Sequence, residues 1–484
     1  MRSTITILAV VAVAGMVYAQ PPYDDYMMNT TTDTLEWATA VGAQQVAGGI
    51  YVGAWGDRAD DGLLDAAPYA QLYSNSWDTI GGEILVSSAG RLPKPPDSQL
   101  RTSADMDAAG DWAVTWTSQD YDLRYRSFNS SGTPYTNDIV VASPGVQSWS
   151  HVELADDGSK AIVTYDDGAG NIGYQIINPT TGASIASGTA NTTADVSHGR
   201  TAIADDGSFV ITYQKHGGTP YDAKQYFQRF DSSNNPDTVQ GEVDVWTNAG
   251  LLCYSESNAA IGMNTTTGEF NIVGILQGGD NNDDVYVMRF NADGTLKDDF
   301  DGDPNTDDPI LATVDTTRQN MWPGVNVDDQ GDFTVTFSEK DKSDTGSHHD
   351  IVARRFSRYG GAVDQDTILL NTEMTAGGQH YSDIDLNADG DSMVVWDDSS
   401  SPGDYGSAAN GNFSVWGCGV PGIILGDAQA DDDVDLDDLG ILAGNYGGTA
   451  GPYDWWCGDF DNDGDVDLDD LGILAGNYNS TWPP

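Results

Sequence analysis

Basic side chains are scarce. The 484 residues carry 20 Lys and Arg against 75 Asp and Glu, a net charge of −55. A phosphate backbone demands a basic footprint, so nucleic acid is excluded as a partner. The balance suits solubility, divalent cations or a salty environment. Glu is also rare: eight of the acids are Glu and the rest Asp. Asp favours turns and disfavours helix interiors, and 56 Gly point the same way, so the chain reads as loop-rich and mainly β. Cysteine is limited to Cys253, Cys418 and Cys457. None forms a C-x-x-C, so a zinc ribbon or redox motif has no ligands. In an oxidising compartment Cys418 and Cys457 could pair across a loop of about 38 residues, worth roughly 3–4 kcal/mol in the entropy model. Long apolar runs are absent except at the start, MRSTITILAVVAVAGMVYAQ, where Ile5 to Val17 is too short to cross a bilayer comfortably. Arg2 before it and Val17-Tyr18-Ala19 after it read as a secretory signal spanning 1–19, cleaved after Ala19. The expectation is a secreted protein with no membrane span, followed by an N-terminal segment at 20–40.

What is present is repetition. An Asp-rich turn, a Gly, an alternating strand and an aromatic end recur as DAAGDWAVTW (107–116), ADDGSKAIVTY (155–165), ADDGSFVITY (204–213), DDQGDFTVTF (328–337) and NADGDSMVVW (387–396). Weaker copies are VAGGIYVGAW, ending at Trp55, and TTTGEFNIVGI, ending at Ile275. The turn glycines fall at 49, 110, 158, 207, 268, 331 and 390, each expected to supply φ > 0 in a hairpin. A second strand follows, as in KQYFQRFDSSNNP (224–236) and DIVARRFSRYGGA (350–362), then a weaker third such as DIVVAS (138–143) or DTILLNT (366–372). Units of this kind cannot bury both faces alone, and a closed ring of them is a β-propeller. The fold class expected is therefore mainly β, a seven-bladed β-propeller over 41–417, with two β-sandwich domains as the alternative. The units resemble the propeller repeats of large secreted bacterial proteins, in which G-x-F-V-V-T-W precedes I-Y-A-R-R-F-D-x-x-G. That resemblance implies fold and says little of activity. The turns also loosely resemble the Asp-box of sialidases, without its Ser or fixed spacing.

After a linker expected at 418–425, the pattern changes. DVDLDDLGILAGNY occurs from Asp433 and again from Asp465. An EF-hand-type calcium loop needs oxygens at positions 1, 3, 5, 7, 9 and 12, with Gly at 6 for the bend. The second copy offers Asp459, Asp461, Asp463, Asp465, Asp467 and Asp470, with Gly464 at position 6. The first offers Asp427, Gln429, Asp431, Asp433, Asp435 and Asp438, with Asp432 in place of the Gly. Position 7 ordinarily binds through its backbone carbonyl. Each loop precedes a helix whose Leu439, Leu442 and Tyr446, or Leu471, Leu474 and Tyr478, share one face. Two such units over 426–479, before a short tail at 480–484, resemble a type I dockerin, a small all-α calcium-binding module. The resemblance implies Ca2+ as cofactor and a cohesin-like domain, or another surface protein, as partner. In that family loop positions 10 and 11 read the partner, often as Ser-Thr; here they are Leu436-Asp437 and Leu468-Asp469.

Dockerins commonly accompany secreted polysaccharide-degrading enzymes, which implies a glycan-related role without making this chain an enzyme. A glycosidase needs two carboxylates at controlled separation, and the abundance of Asp hides any such pair. Arg229, Arg289 and Arg355 occupy one repeated position before Phe, which reads as structural, pairing with a neighbouring blade's Asp. GAGNIG (168–173) lies between two strands and reads as a hairpin turn rather than a dinucleotide loop. His348-His349 reads as solvent-exposed, and Asp299, Asp301 and Asp303 in DDFDGDPNTDD (298–308) could hold a further cation. The reading is a secreted protein whose module docks a binding or display domain, with a polysaccharide as possible ligand. The alternatives are an extracellular glycoside hydrolase or lyase and a structural surface protein. Aromatics exposed on one face of the ring would favour sugar binding; a carboxylate pair deep in a central pocket would favour hydrolysis.

Overall fold

The computed structural model describes residues 25–28, 34–59, 65–89, 92–93, 102–118, 122–143, 148–215, 223–246, 252–253, 260–277, 283–297, 309–341, 349–372, 378–399, 413–431, 433–448 and 453–481. The signal expected at 1–19, the 298–308 stretch, His348 and Asp432 lie outside these residues.

Seven antiparallel sheets of four or five strands are present, one per turn glycine. The first strands of the sheets are Thr34–Ala43, Thr102–Met106, Ser148–Leu154, Val196–Ile203, Ile261–Met263, Gln319–Val327 and Gly378–Leu386. Each packs against the first strand of the next sheet, and the seventh packs back on the first. The fold is a seven-bladed β-propeller with these strands around its axis. The seventh blade runs Gly378–Leu386, Ser392–Ser399, Phe413–Val420 and then Tyr26–Met27. Tyr26 pairs with Gly417 and Met27 with Trp416, so a strand from before the first blade closes the ring by hydrogen bonds.

The repeated sequence signature spans the turn and the second strand. At the turn, Asp107, Asp328 and Asn387 each accept at Oδ1 the N–H groups two and four residues on, at 2.8–3.1 Å. This local bond is why Asp and Asn open the turn. Gly110, Gly158, Gly207, Gly268, Gly331 and Gly390 have φ between 66° and 92°. In the first blade the left-handed residue is Gly48 (φ 63°), one position before the Gly49 expected from the repeat. In four blades the first residue of the second strand stacks on the last of the third: Trp112 on Phe128, Phe209 on Phe230, Phe270 on Phe290 and Phe333 on Phe356, centroids 4.0–5.0 Å apart. The alternation within the second strand does not divide core from solvent. In Trp112–Thr117 every residue is buried, because neighbouring blades cover both faces.

The C-terminal unit holds two helices, Leu436–Asn445 and Leu468–Asn477. Each starts on an Asp N-cap, Asp435 or Asp467, in a capping box with Asp438 or Asp470. The two halves pack reciprocally. Asn479 N–H donates to Val434 O and Gly447 N–H to Val466 O, both at 2.8 Å. Leu442 and Leu474 are buried, whereas Tyr446 and Tyr478 sit at the C-caps and are exposed, so the apolar face is shorter than the periodicity suggests.

The expected linker, 418–425, starts inside the strand Phe413–Val420 and is then clamped. Arg355 Nη1 reaches Pro421 O and Gly422 O at 3.3 and 3.4 Å, and Gly422 N–H donates to Asp391 at 2.9 Å. Val363 of the sixth blade joins one apolar cluster with Val434, Leu442, Trp455, Phe460, Val466 and Leu474. The helical unit therefore shares a core with the propeller. Cys253, Cys418 and Cys457 are all free thiols. The Cys418–Cys457 pairing that the sequence left open is not formed, and Cys418 is sealed within the apolar core of the seventh blade.

Candidate functional site

Counting back from each turn aligns the first strands. Two residues before the turn stand Gly42, Asp105, Glu153, Ala202, Gly262, Asn326 and Asp385; four before stand Ala40, Ser103, His151, Arg200, Ala260, Gly324 and Asp383. Strand alternation turns both sets to the same side, about 6.6 Å apart along the axis. The cavity on the axis is about 100 Å³, and its lining includes His151, Glu153, Arg200, Asp105, Asp383 and Asp385. That is well below the roughly 300 Å³ of a ligand-engulfing pocket. Glycine makes the channel this narrow. A Cβ on Gly42 would lie 2.4 Å from Asp105 Cα, and one on Gly262 2.5 Å from Asn326 Cα.

Six residues before the turn stand four aromatics: Trp149, His198 and Tyr381 line the mouth of the channel, and Trp322 is buried behind Tyr381. All four are left-handed, with φ of 54°, 61°, 50° and 53°. Each sits at a register shift in its strand, a bulge that re-aims the side chain. A bulky residue in this region costs on the order of 1–2 kcal/mol, so four in one cluster mark a place where strain is held by the fold. Trp149 lies 4.1 Å from His198, Trp322 4.6 Å from Tyr381, and Trp149 6.3 Å from Tyr381 across the mouth. Behind them, Trp322 packs on His380 (5.0 Å) and His349 (5.8 Å). His349 is thus buried, against the exposed position expected for it, because the third strand carries it under the mouth.

Below the ring the side chains are acidic, yet most hold blades together. Leu154 N–H donates to Asp105 (2.5 Å), Ala43 N–H to Asp385 (2.6 Å) and Val41 N–H to Asp383 (3.2 Å). Asn326 also donates to Asp385. Arg200 of the fourth blade meets Asp383 of the seventh at 3.7 Å, closing the channel from opposite sides. Burial, with little opposing positive charge, pushes Asp105 up to about 7 and Glu153 and Asp385 well above the usual carboxylate range. Burial and then the Arg200 charge hold His151 well below its usual value. The sequence reading missed this layer entirely. The available signal was that positions two, four and six before each turn differ between blades while the turn repeats.

The twelve loop residues are placed as follows. Asp433, Asp435 and Asp438 bring a carboxylate oxygen each within 4.8 Å of one another, as do Asp459, Asp461 and Asp463. In the first loop the position-7 carboxylate of Asp433 joins the group, where a backbone carbonyl was expected. Asp427 accepts from Gln429 N and Asp431 N, and Gln429 Nε2 donates to Asp431. Asp465 is exposed, Asp467 caps its helix, and Asp470 accepts from Phe460 N and Asp467 N. Burial first, then neighbouring carboxylates, raise Asp459 to about 7 and Asp461 to about 6. Asp433 Oδ1 and Asp461 Oδ1 are buried and accept no hydrogen bond. Buried carboxylate oxygens without donors are costly, and a hard divalent cation is the partner such oxygens suit. Leu436 and Leu468 are each 67 % exposed, and Asp437 and Asp469 beside them are exposed too.

The repeated arginines are structural. Arg355 pairs with Asp364 at 2.8 Å, both buried, and Arg229 with Asp237 at 2.9 Å. These carboxylates belong to the same blade, not the neighbour expected from the sequence. The neighbour supplies carbonyls instead: Asp293 O for Arg229, Arg358 O for Arg289 and Pro421 O for Arg355. GAGNIG joins the antiparallel strands Ala161–Asp166 and Ile172–Ile177, as a hairpin turn should.

No family model matches the chain, and no curated protein matches it. Solved structures do. An ulvan lyase of polysaccharide lyase family 25 aligns at 11 % identity and TM-score 0.46, over 79 % of this chain and 94 % of that one. The β-propeller domain of the Trilobed protease from Pyrococcus furiosus aligns at 7 % and 0.42, over 75 % and 91 %. An α-L-arabinofuranosidase from Lactobacillus brevis aligns at 14 % and 0.33, over 56 % and 89 %. At these identities the likeness concerns fold alone. No helix among the described residues is long and apolar enough to cross a membrane.

Proposed function

We propose that this is a secreted protein that holds a polysaccharide at the aromatic mouth of its propeller and is docked through a calcium-loaded C-terminal module. The cluster of Trp149, His198 and Tyr381 at the mouth, backed by Trp322 and all on strained bulges, carries the binding half of this reading. Aromatic faces suit the apolar faces of sugar rings, and the narrow channel keeps the sugar at the mouth. For the module, Asp427, Gln429, Asp431, Asp433, Asp435 and Asp438 would hold one Ca2+, and Asp459, Asp461, Asp463, Asp465, Asp467 and Asp470 the other. The cation would neutralise the crowded carboxylates and stiffen both loops. Leu436, Asp437, Leu468 and Asp469 would then meet a cohesin-like domain or another surface partner. The module sits beside the turn Ser357–Gly361, at the end of the blades opposite the aromatic ring, so docking would leave the mouth facing away from the scaffold.

Glycan cleavage is the second reading, favoured by His151 one step and Glu153 two steps below the ring. It ranks lower because Asp105, Asp383 and Asp385 are occupied in joining blades. A glycan array run beside reducing-sugar and unsaturated-product assays separates the two. Binding lost in Trp149→Ala without product release is the expected result; turnover at enzyme-like rates, abolished by Glu153→Gln, would replace it with the second. Calorimetry tests the module: absence of calcium heat would remove the docking half.

A further inference from the structure

The second acidic loop lies against the propeller. Asn462, between Asp461 and Asp463, is left-handed at φ 59°. A Cβ built on Gly361 of the sixth blade would stand 3.0 Å from Asn462 Oδ1, 3.2 Å from its Cγ and 3.3 Å from its Cβ. All three nearest atoms therefore belong to this one loop residue. Gly361 has no positive φ, so its missing side chain answers to the space Asn462 occupies and not to backbone conformation. Two residues on, Val363 is buried in the module's own apolar cluster with Phe460, which follows Asp459, and Val466, which precedes Asp467. The loop thus meets the sixth blade at its tip, and residues at both its ends share an apolar core with that blade. The corresponding tip residue of the first loop is Ala430.

From this juxtaposition we infer that calcium in the second loop clamps the module to the sixth blade, so that one of two near-identical loops sets the module's orientation and the other does not. The inference rests on the calcium reading of the loops above. Asp461 Oδ1, buried and without a donor, is one residue from the contact. A cation held by Asp459, Asp461 and Asp463 would fix the backbone on both sides of Asn462 and so hold it where it meets Gly361. Linkage is reciprocal: if filling the loop favours the seated module, the seated module tightens the loop by the same factor.

The test uses the full chain. Calcium calorimetry is run on the natural protein and on Gly361→Val, whose new methyls meet Asn462. One site should weaken at least fivefold while the other is unchanged. In parallel, protease cleavage between Val420 and Asp427 is timed with calcium or chelator, in the natural chain and in Asp463→Asn and Asp431→Asn, which occupy the same position in the two loops. Calcium should slow cleavage in the natural chain and in Asp431→Asn, and not in Asp463→Asn. Equal protection in both Asp variants, or two calcium sites untouched by Gly361→Val, would overturn the clamp while leaving calcium binding intact. No calcium binding by the natural chain would overturn both.

Discussion

The seven blades and the two loop–helix units are both repeats, but they divide structure from function in opposite ways. In the propeller, what recurs is scaffold: the left-handed glycine of the turn and, in several blades, an opening Asn or Asp, a stacked aromatic pair and the arginine before its second ring. What differs from blade to blade lines the channel, as with Trp149, His151 and Glu153 in the third blade against Tyr381, Asp383 and Asp385 in the seventh. In the module the recurring residues are themselves the proposed ligands, and the few that differ, Gln429 for Asp461 or Ala430 for Asn462, grade one site against the other. A ring repeats to close on itself, so its one axial site must be built from departures from the repeat. A pair repeats to make the same site twice.

That contrast is open to direct attack. The largest effect should come from a recurring blade position. Arg355→Ala leaves Asp364 buried and uncompensated, at a cost of about 3–5 kcal/mol. Chemical denaturation should show that loss, and an unchanged midpoint would mean the repeated arginine is not scaffold. At a varying position the order reverses. Trp149→Ala removes a half-buried ring from a strained bulge, so the thermal midpoint should barely move, while glycan affinity falls at least about tenfold, or 1.4 kcal/mol. Loss of stability without loss of binding would break the distinction. Within the module, Ala430 is left-handed at φ 51° without glycine's freedom. Ala430→Gly should relieve about 1 kcal/mol and tighten the first calcium site about fivefold, read by calorimetry with the second site as internal control.

The smallest effect concerns pH. Asp105 titrates near 7 in the folded chain because it is buried, above its unfolded value. The folded state therefore holds a proton that the unfolded state releases, and stability falls as pH rises from about 4 through 7. Glu153, Asp383 and Asp385 face the same cavity and shift the same way for the same reason, with Arg200 opposing at Asp383. Asp105→Asn should therefore flatten only part of the slope, by a degree or two in midpoint between pH 5 and 7.5, measured in saturating calcium. An unchanged slope would mean that Asp105 is ionised in the fold.

Much of the architecture was legible because its chemistry is local. A left-handed turn needs glycine, its first residue needs a short acceptor, and a capped helix needs Asp at the right interval; each is written within a dozen residues. Blade number, hairpins and the positions of both helices followed from that. The first strands escaped notice because they line the channel and vary among blades, so they carry no common pattern. Ring closure escaped because Tyr26–Met27 is a two-residue strand whose partner, Phe413–Val420, lies at the far end of the propeller. The interval 418–425 reads as a linker only until Arg355 and Val363, brought from the sixth blade, are seen to hold it and the module behind it.

By itself, then, the sequence determined the repeating unit, its number and the oxygen spacing of the two loops, since these depend on neighbours in the chain. The tertiary structure alone decided which residues face one another. The aromatic mouth and its backing draw one residue from each of four blades, the Arg200–Asp383 pair spans the channel, and Asn462 finds Gly361 in another domain. Such meetings are set by closure of the ring and by burial of shared apolar surface, and no local pattern encodes them.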